Sequence, residues 1–429
     1  MQSVTGFSNS LAGRIVRRAA GPLAQMPTRV RLSFADQMLI SGVNALTGII
    51  LVRWLGLHEF GIYSMILIGV QFLAVPQGAA ILAPMMSLFD QRGDVSRSSY
   101  LAALLMHQAL YAAVAVALVG MGAVILGPEA EVDFLLVAAV VVATQFQDLA
   151  RRFFYVTERP FQAFFCDVIA YGGRLAAVLA FAFSGDLTID LVWVVMIVAS
   201  AAALLVLTPD LSRLDFTWQP IANVTRSHQS TAGWMLGNSV VGLFADNNFV
   251  MLVIGSVLGP AQLGAVRAVQ TVALVLNLLN LSLENFVPSA ATRSLMNGGH
   301  SALLGYVARV SFLGVAGISA VVVLLLLFAD PIMEFLYGRT FSDQLPLIVA
   351  FGAYSALAHI AFVITAGLRA LNAVHLAFLP QALLSAASLV IAFYAVDAWG
   401  IVGALFALLG LRLLFTAQLA FTLRARAAA

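Results

Sequence analysis

Runs of apolar residues about 20 long follow one another along this chain, separated by short links that carry most of the charge. A helix needs about 20 residues to cross a hydrocarbon core of roughly 30 Å. The runs therefore predict an all-α integral membrane protein of about twelve helices. In the first half these fall at about 33–53, 60–89, 99–126, 132–155, 161–183 and 189–207. In the second half they fall at about 231–257, 261–289, 302–328, 344–367, 376–396 and 400–422. The stretches Val137 to Val142 and Val321 to Phe328 hold no polar residue, whereas a membrane-barrel strand would alternate. Helices are what remains for satisfying the backbone in lipid.

The links alternate in charge. Arg92, Arg97, Arg151, Arg152, Arg159, Arg213, Arg226, Arg293, Arg369, Arg424 and Arg426 all fall on the side of the basic N-terminal segment. Glu59, Glu129, Glu131, Asp133, Asp186, Asp190, Asp330, Glu334, Asp343 and Asp397 fall on the other, with Arg53 and Arg339 as the only basic residues there. The positive-inside rule then predicts that both termini are cytoplasmic.

A turn motif repeats in the two halves. Arg53-Trp-Leu-Gly-Leu-His-Glu-Phe-Gly-Ile-Tyr63 is matched by Leu258-Gly-Pro-Ala-Gln-Leu-Gly-Ala-Val266, with Gly56 on Gly259 and Gly61 on Gly264. The longest link, 208–230, contains Pro209, Pro220 and mixed charge, and reads as a cytoplasmic linker. It divides a lobe at 33–207 from a lobe at 231–422, flanked by a basic tail at 1–32 and a short tail at 423–429. Six crossings return the chain to its starting side, so the lobes are parallel repeats about an axis along the membrane normal.

Composition agrees. With 429 residues, 62% of them hydrophobic and 10% charged, and a mean hydropathy of +0.98, the chain lies outside the range of soluble domains. All the basic side chains are arginine, which we read as genome composition. Cys166 is the only cysteine, which excludes an internal disulfide and a cysteine-rich metal site. Arg14, Arg17, Arg18, Arg29 and Arg31 precede the first helix without an acidic residue or an apolar core, so no cleavable signal peptide is expected. The segment Arg14 to Ala20 reads either as a basic helix on the membrane surface or as an untethered tail.

Polar residues inside the runs mark candidate chemistry. Gln37, Ser41, Asn44 and Gly48 share one face of the first helix, which would line a cavity or pack closely on a partner helix. Asn247 lies at the same offset from its turn as Asn44 does. Arg267, Gln270, Asn277, Asn280 and Glu284 form a stripe along the eighth helix, either toward water or in interhelical hydrogen bonds. Asp246, in mid-helix beside Ser239 and Gly242, would stay protonated, pair with an arginine or bind a cation. Arg53, Arg174, Arg267 and Arg412 would together attract an anion, because forked guanidinium donors match phosphate oxygens. The alternative pairs one of them with Asp246 or Glu284 as a structural ion pair. Pro76, Pro84 and Pro288 should bend or break their helices. A phosphate-binding loop ending in lysine is excluded, and neither a His-Glu-x-x-His pair nor a Gly-x-Ser-x-Gly elbow occurs.

Over Phe34 to Phe89 the residues Gly42, Asn44, Arg53-Trp-Leu-Gly, Glu59-Phe60-Gly61 and Tyr63 resemble the opening of bacterial polysaccharide flippases of the Wzx type. That family belongs to the superfamily of the MATE multidrug exporters and the lipid II flippases. The resemblance implies a transporter, not an enzyme, that passes undecaprenyl-pyrophosphate-linked oligosaccharide across the bacterial inner membrane by alternating access, for O-antigen or exopolysaccharide synthesis. Arg174, Arg267, Arg412 and Arg53 would hold pyrophosphate, Gln270, Asn277 and Asn280 of the eighth-helix stripe would accommodate the sugar, and Asn44 and Asn247 would be a matched pair of substrate-lining positions. No cofactor is expected, and Na⁺ or H⁺ coupling would run through Asp246 or Glu284. Implied partners are the lipid-linked oligosaccharide, membrane lipids, a polysaccharide polymerase and glycosyltransferases, and no nucleic acid. The runner-up is an ion-coupled multidrug exporter, whose cavity should be acidic on balance.

Overall fold

The computed structural model describes residues 28–126, 132–244, 246–276, 283, 287–338 and 345–428, and these are helical apart from short turns, with no strand among them. The first helix is Thr28–Leu55. The second runs from Leu57–Gln77 through a π-helical turn at Gly78–Leu82 into Ala83–Leu88. Arg97–Leu126 and Phe134–Val156 form the third and fourth. The fifth is Pro160–Asp167, a π-helical turn at Val168–Gly172, then Gly173–Ser184; the sixth is Ile189–Leu204.

In the second half the seventh helix comes in two pieces, Trp218–Phe244 and Asn247–Leu258. The described part of the eighth is Pro260–Ala273 with a 3₁₀ turn at Leu274–Leu276. Val287–Leu327 is broken at Gly298 and Gly299, and its longer second part is the ninth membrane helix. A short helix, Ala329–Tyr337, leads to the tenth at Leu345–Ala370. Phe378–Ala428 would be about 75 Å long as one rod, and its break at Gly400 divides it into the eleventh and twelfth. Nine of the described helices are long and apolar enough to cross a membrane, ten with the bent seventh. With the partly described eighth and the division at Gly400, the twelve expected crossings are accounted for in this multi-pass membrane protein.

The repeated turn seats the two halves on each other. Gly56 and Gly259 have φ of +89° and +90°, a region that glycine alone enters without strain. A Cβ on Gly61 would lie 1.8 Å from the Pro260 carbonyl oxygen, and one on Gly264 would lie 2.0 Å from the Leu57 carbonyl oxygen. Leu57 is the counterpart of Pro260 in the alignment of the turns. The contact is therefore reciprocal, as a two-fold relation requires. Both helix starts meet at the same end, so the second and eighth helices run in the same direction and the axis follows the membrane normal.

Two differences from expectation have physical causes. The link 208–230 is mostly helical: Thr208–Leu211 is one turn, and the seventh helix begins at Trp218 instead of about 231. Pro220 sits in that helix's first turn, where its missing N–H costs nothing. The remaining turn is pinned at Asp215, whose carboxylate accepts from the Thr217 hydroxyl, the Ser99 hydroxyl and the Thr217 N–H, which together hold its pKa below the ordinary value. Pro288 lies in the first turn of Val287–Leu327, at the start of a helix.

The bends at Pro76 and Pro84 take the form of the π turn between them. The Leu73 carbonyl in this stretch is met from other helices, by the Tyr111 hydroxyl at 2.5 Å and Gln145 Nε2 at 3.5 Å. Gln77, fully buried, donates to Gln108 Oε1 and the Gln145 carbonyl at 2.8 and 2.9 Å. In a membrane interior such bonds and close packing hold helices together, since lipid is as apolar as the side chains.

Candidate functional site

Between the halves lies a cavity of about 670 Å³. Helix two contributes Gln71, Gly78 and Met86, helix four Asp148 and Arg152, and helix seven Ser239, Gly242, Asp246 and Asn248. The glycine contact at the acidic end and the presence of Met86 and Arg152 in the lining place the cavity toward the arginine-rich end. The π turn of the second helix forms part of its wall, through Gly78, Ala79 and Leu82.

The bent seventh helix corrects the sequence picture of Asp246. Instead of lying within a continuous helix, Asp246 is the extended N-cap residue of Asn247–Leu258 and accepts the Asn248 N–H at 2.8 Å. The two pieces meet at 47°. A carboxylate at this half-helix N-terminus is stabilised by the free N–H groups and the helix dipole. Asp246 also lines a second, more enclosed cavity of about 130 Å³ inside the second half, together with Gly242, Phe244, Tyr354, Gln381, Arg412 and Phe415.

The four candidate arginines are dispersed. Arg53, at the acidic end of the first helix, donates to the Phe335 carbonyl at 3.1 Å, one of the terminal carbonyls that a short helix leaves open. Arg174 is buried and donates to Asn44 Oδ1 at 2.6 Å while lying over the Tyr171 ring. Arg267 donates to Gln270 Oε1 at 2.8 Å and to Asn248 Oδ1 at 2.9 Å, so the stripe on the eighth helix begins as read from its spacing. Arg412 stacks over Tyr354 and Phe415 in the smaller cavity. Arg174, Arg267 and Arg412 have neutral partners, no carboxylate among the described residues within ion-pair distance, and each a buried Nε without a hydrogen-bond partner. Asn247 matches Asn44 in position only: Asn44 lies within a continuous helix, while Asn247 opens the half-helix with a buried, unpartnered Oδ1. Asn277, Asn280 and Glu284 lie outside the described residues.

Other polar residues escaped the sequence reading. Arg152 is the only cation lining the larger cavity among the described residues, and Asp148, one turn earlier, accepts from its Nε at 3.0 and 3.1 Å. Beside it is a buried ionic cluster. Arg151 donates to Asp36 Oδ2 at 2.8 Å and Asp167 Oδ2 at 2.5 Å, while Tyr155 donates to Asp36 and Gln147 to Asp167, both at 2.7 Å. Asp36 and Asp167 are fully buried, and Asp36 Oδ1 has no partner. The available signal was Asp36 and Asp167 inside apolar runs, an expensive placement that requires partners.

The expected criterion, the sign of the cavity charge, gives a divided result. Asp148, Arg152 and Asp246 leave the larger cavity acidic by one, and counting Arg412 of the adjoining cavity makes the sum zero. Across the interior, by contrast, three arginines stand without carboxylates.

Neither a protein-family model nor a curated protein sequence matches the chain. Solved structures do. The chain resembles an inward-facing multidrug resistance MATE family transporter of the MOP superfamily at TM-score 0.63 and 12% identity, over 96% of this chain and 98% of that one. It resembles the lipid II flippase MurJ in an inward closed conformation at TM-score 0.68 and 12% identity, over 92% and 87%. A mutant of the Vibrio cholerae MATE transporter VcmN matches at TM-score 0.58 and 16% identity, over 92% and 96%. At these identities the similarity establishes architecture: this chain has the fold shared by MATE transporters and MurJ.

Proposed function

We propose that the protein is a flippase that carries undecaprenyl-pyrophosphate-linked oligosaccharide across a bacterial inner membrane by alternating access between lobes at 33–207 and 231–422. The observation that carries this reading is the set of interior arginines, buried Arg174 and half-buried Arg267 and Arg412, each held by neutral partners with a buried, unused Nε. Guanidinium groups left without carboxylates in a low-dielectric interior favour an anionic cargo. The Wzx-type residues around Arg53 to Tyr63 and the MurJ-like fold support the same cargo class. Arg152 is the first cation that an anion entering the larger cavity meets, and a pyrophosphate would compete with Asp148 for its fork. Both termini are cytoplasmic in this reading, and the glycine contact closes the periplasmic side.

A second reading, an exporter of small cations coupled to Na⁺ or H⁺, is supported by the carboxylate excess of the larger cavity and of the Asp36, Arg151 and Asp167 cluster. Depletion of the protein in living cells separates the two. Flippase loss leaves lipid-linked oligosaccharide on the cytoplasmic face, out of reach of an externally added lectin. Unchanged surface glycan together with raised sensitivity to cationic dyes would reject the flippase in favour of the exporter.

A further inference from the structure

The smaller cavity is a chamber off the larger one: Gly242 and Asp246 line both. It presents a carboxylate and a guanidinium, Asp246 and Arg412, that form no ion pair with each other at 4.0 Å or less. Arg412 keeps a buried, unpartnered Nε, and its planar head lies 5.4 and 5.8 Å from the ring centres of Tyr354 and Phe415. The Gln381 amide adds a donor and an acceptor, its Nε2 reaching 3.4 Å from where a Cβ on Gly242 would be.

These groups favour a ligand that offers donors and acceptors side by side, a description that a polyhydroxylated ring and a zwitterion both meet, and the cargo reading selects the ring. A simple anion would be repelled by Asp246, and a simple cation by Arg412. A purely apolar group would leave the Arg412 Nε without a partner and add none to Asp246 beyond its cap, a cost of about 1–3 kcal/mol. A sugar hydroxyl is both donor and acceptor, so neighbouring hydroxyls on one ring serve carboxylate, guanidinium and amide at once, while the C–H face of the ring rests on an aromatic side chain. A cavity of roughly 150 Å³ holds a benzene ring, so this one, at about 130 Å³, takes one edge of a pyranose while the rest of the ring lies in the larger cavity with which it shares Gly242 and Asp246.

We propose that this chamber is a monosaccharide subsite that receives one edge of a neutral pyranose unit of the cargo, with Asp246, Arg412 and Gln381 on its hydroxyls and Tyr354 or Phe415 against its C–H face. The proposal rests on the reading that the cargo is a lipid-linked oligosaccharide. It gives Arg412 to the sugar, beyond the break in the seventh helix, and leaves the pyrophosphate to Arg152, Arg174 and Arg267.

The test is saturation-transfer NMR on the full chain in nanodiscs with methyl pyranosides of gluco, galacto, manno, rhamno and N-acetylglucosamine type. At least one should bind saturably at millimolar concentration. Binding should fall at least tenfold in Asp246→Asn and in Arg412→Gln, and vanish in Leu411→Trp, since Leu411 lines the chamber from a half-buried position and the larger ring would fill it. Gln381→Ala, which removes no charge, should weaken binding three- to tenfold and serves if a charge variant misfolds. The subsite is overturned if no pyranoside binds better to the native chain than to Leu411→Trp, or if Na⁺ alone saturates the chamber and excludes the sugars. Flipping of lipid-linked oligosaccharide in proteoliposomes distinguishes the two levels. Native flipping with unchanged sugar preference in Leu411→Trp sinks the subsite and leaves the flippase; pyranoside binding without any flipping sinks the flippase.

Discussion

Substituting Gly61 or Gly264 should open the acidic end of the molecule. A Cβ on Gly61 would fall 1.8 Å from the Pro260 carbonyl oxygen and one on Gly264 2.0 Å from that of Leu57, where ordinary contact begins near 3.4 Å. Backbone atoms cannot swing aside as a side-chain tip does, so the second and eighth helices must part locally by about 1.5 Å. Overpacking of this kind costs about 1–3 kcal/mol. The cost falls on the closed state alone, so the open state should gain roughly 5- to 150-fold in population. Electron–electron distance measurements between spin labels at exposed His58→Cys and Gln262→Cys, in a Cys166→Ser background, would follow the change. Gly61→Ala and Gly264→Ala should each add a longer distance, and the pair together should make it dominant. Gly69→Ala, on the same helix with nothing within 4 Å of its Cβ position, should not. An unchanged distance distribution in the double variant, with the protein folded, would refute the claim that this contact closes the acidic end.

Further outcomes follow from individual side chains. Arg151→Ala leaves the buried Asp36 and Asp167 without their cation and should destabilise the protein by about 3–5 kcal/mol, read as thermal unfolding in detergent, with partial rescue by adding Asp36→Asn. Gln77→Leu removes a buried donor shared by Gln108 and the Gln145 carbonyl, and should cost about 1–3 kcal/mol in the same assay. Arg152→Ala should slow flipping at least tenfold with little effect on unfolding, because its side chain is partly exposed in the larger cavity; a normal rate would remove Arg152 from the cargo path. Asn44→Leu strands the buried Arg174 guanidinium and should be more damaging than Asn44→Asp, which supplies it with a carboxylate.

Much of the architecture was legible because lipid enforces long apolar runs. The first six helices begin and end within a few residues of the runs, and Gly56 and Gly259 mark equivalent turns because both need a positive φ. The break before Asn247 was not legible. Phe244 and Phe249 read as continuous helix, and Asp246 becomes a cap only once the backbone turns aside there. Periodicity along one helix also found the pair of Arg267 and Gln270, three residues apart. It could not find Asp36 with Arg151, 115 residues apart, or Asp167 joining them, since those contacts arise from how helices one, four and five pack. Arg152 was counted as a link charge, and only the placement of the fourth helix across the cavity from the seventh makes it part of the lining.

The central claim concerns cargo, and reconstitution tests it most directly. Purified protein in liposomes that carry undecaprenyl-pyrophosphate-linked oligosaccharide on the inner leaflet should bring the glycan within reach of an external lectin without ATP, faster than protein-free liposomes, and the rate should fall at least tenfold with Arg267→Gln. No lectin-accessible glycan above the protein-free rate, together with Na⁺- or H⁺-driven movement of a cationic dye in the same vesicles, would contradict it.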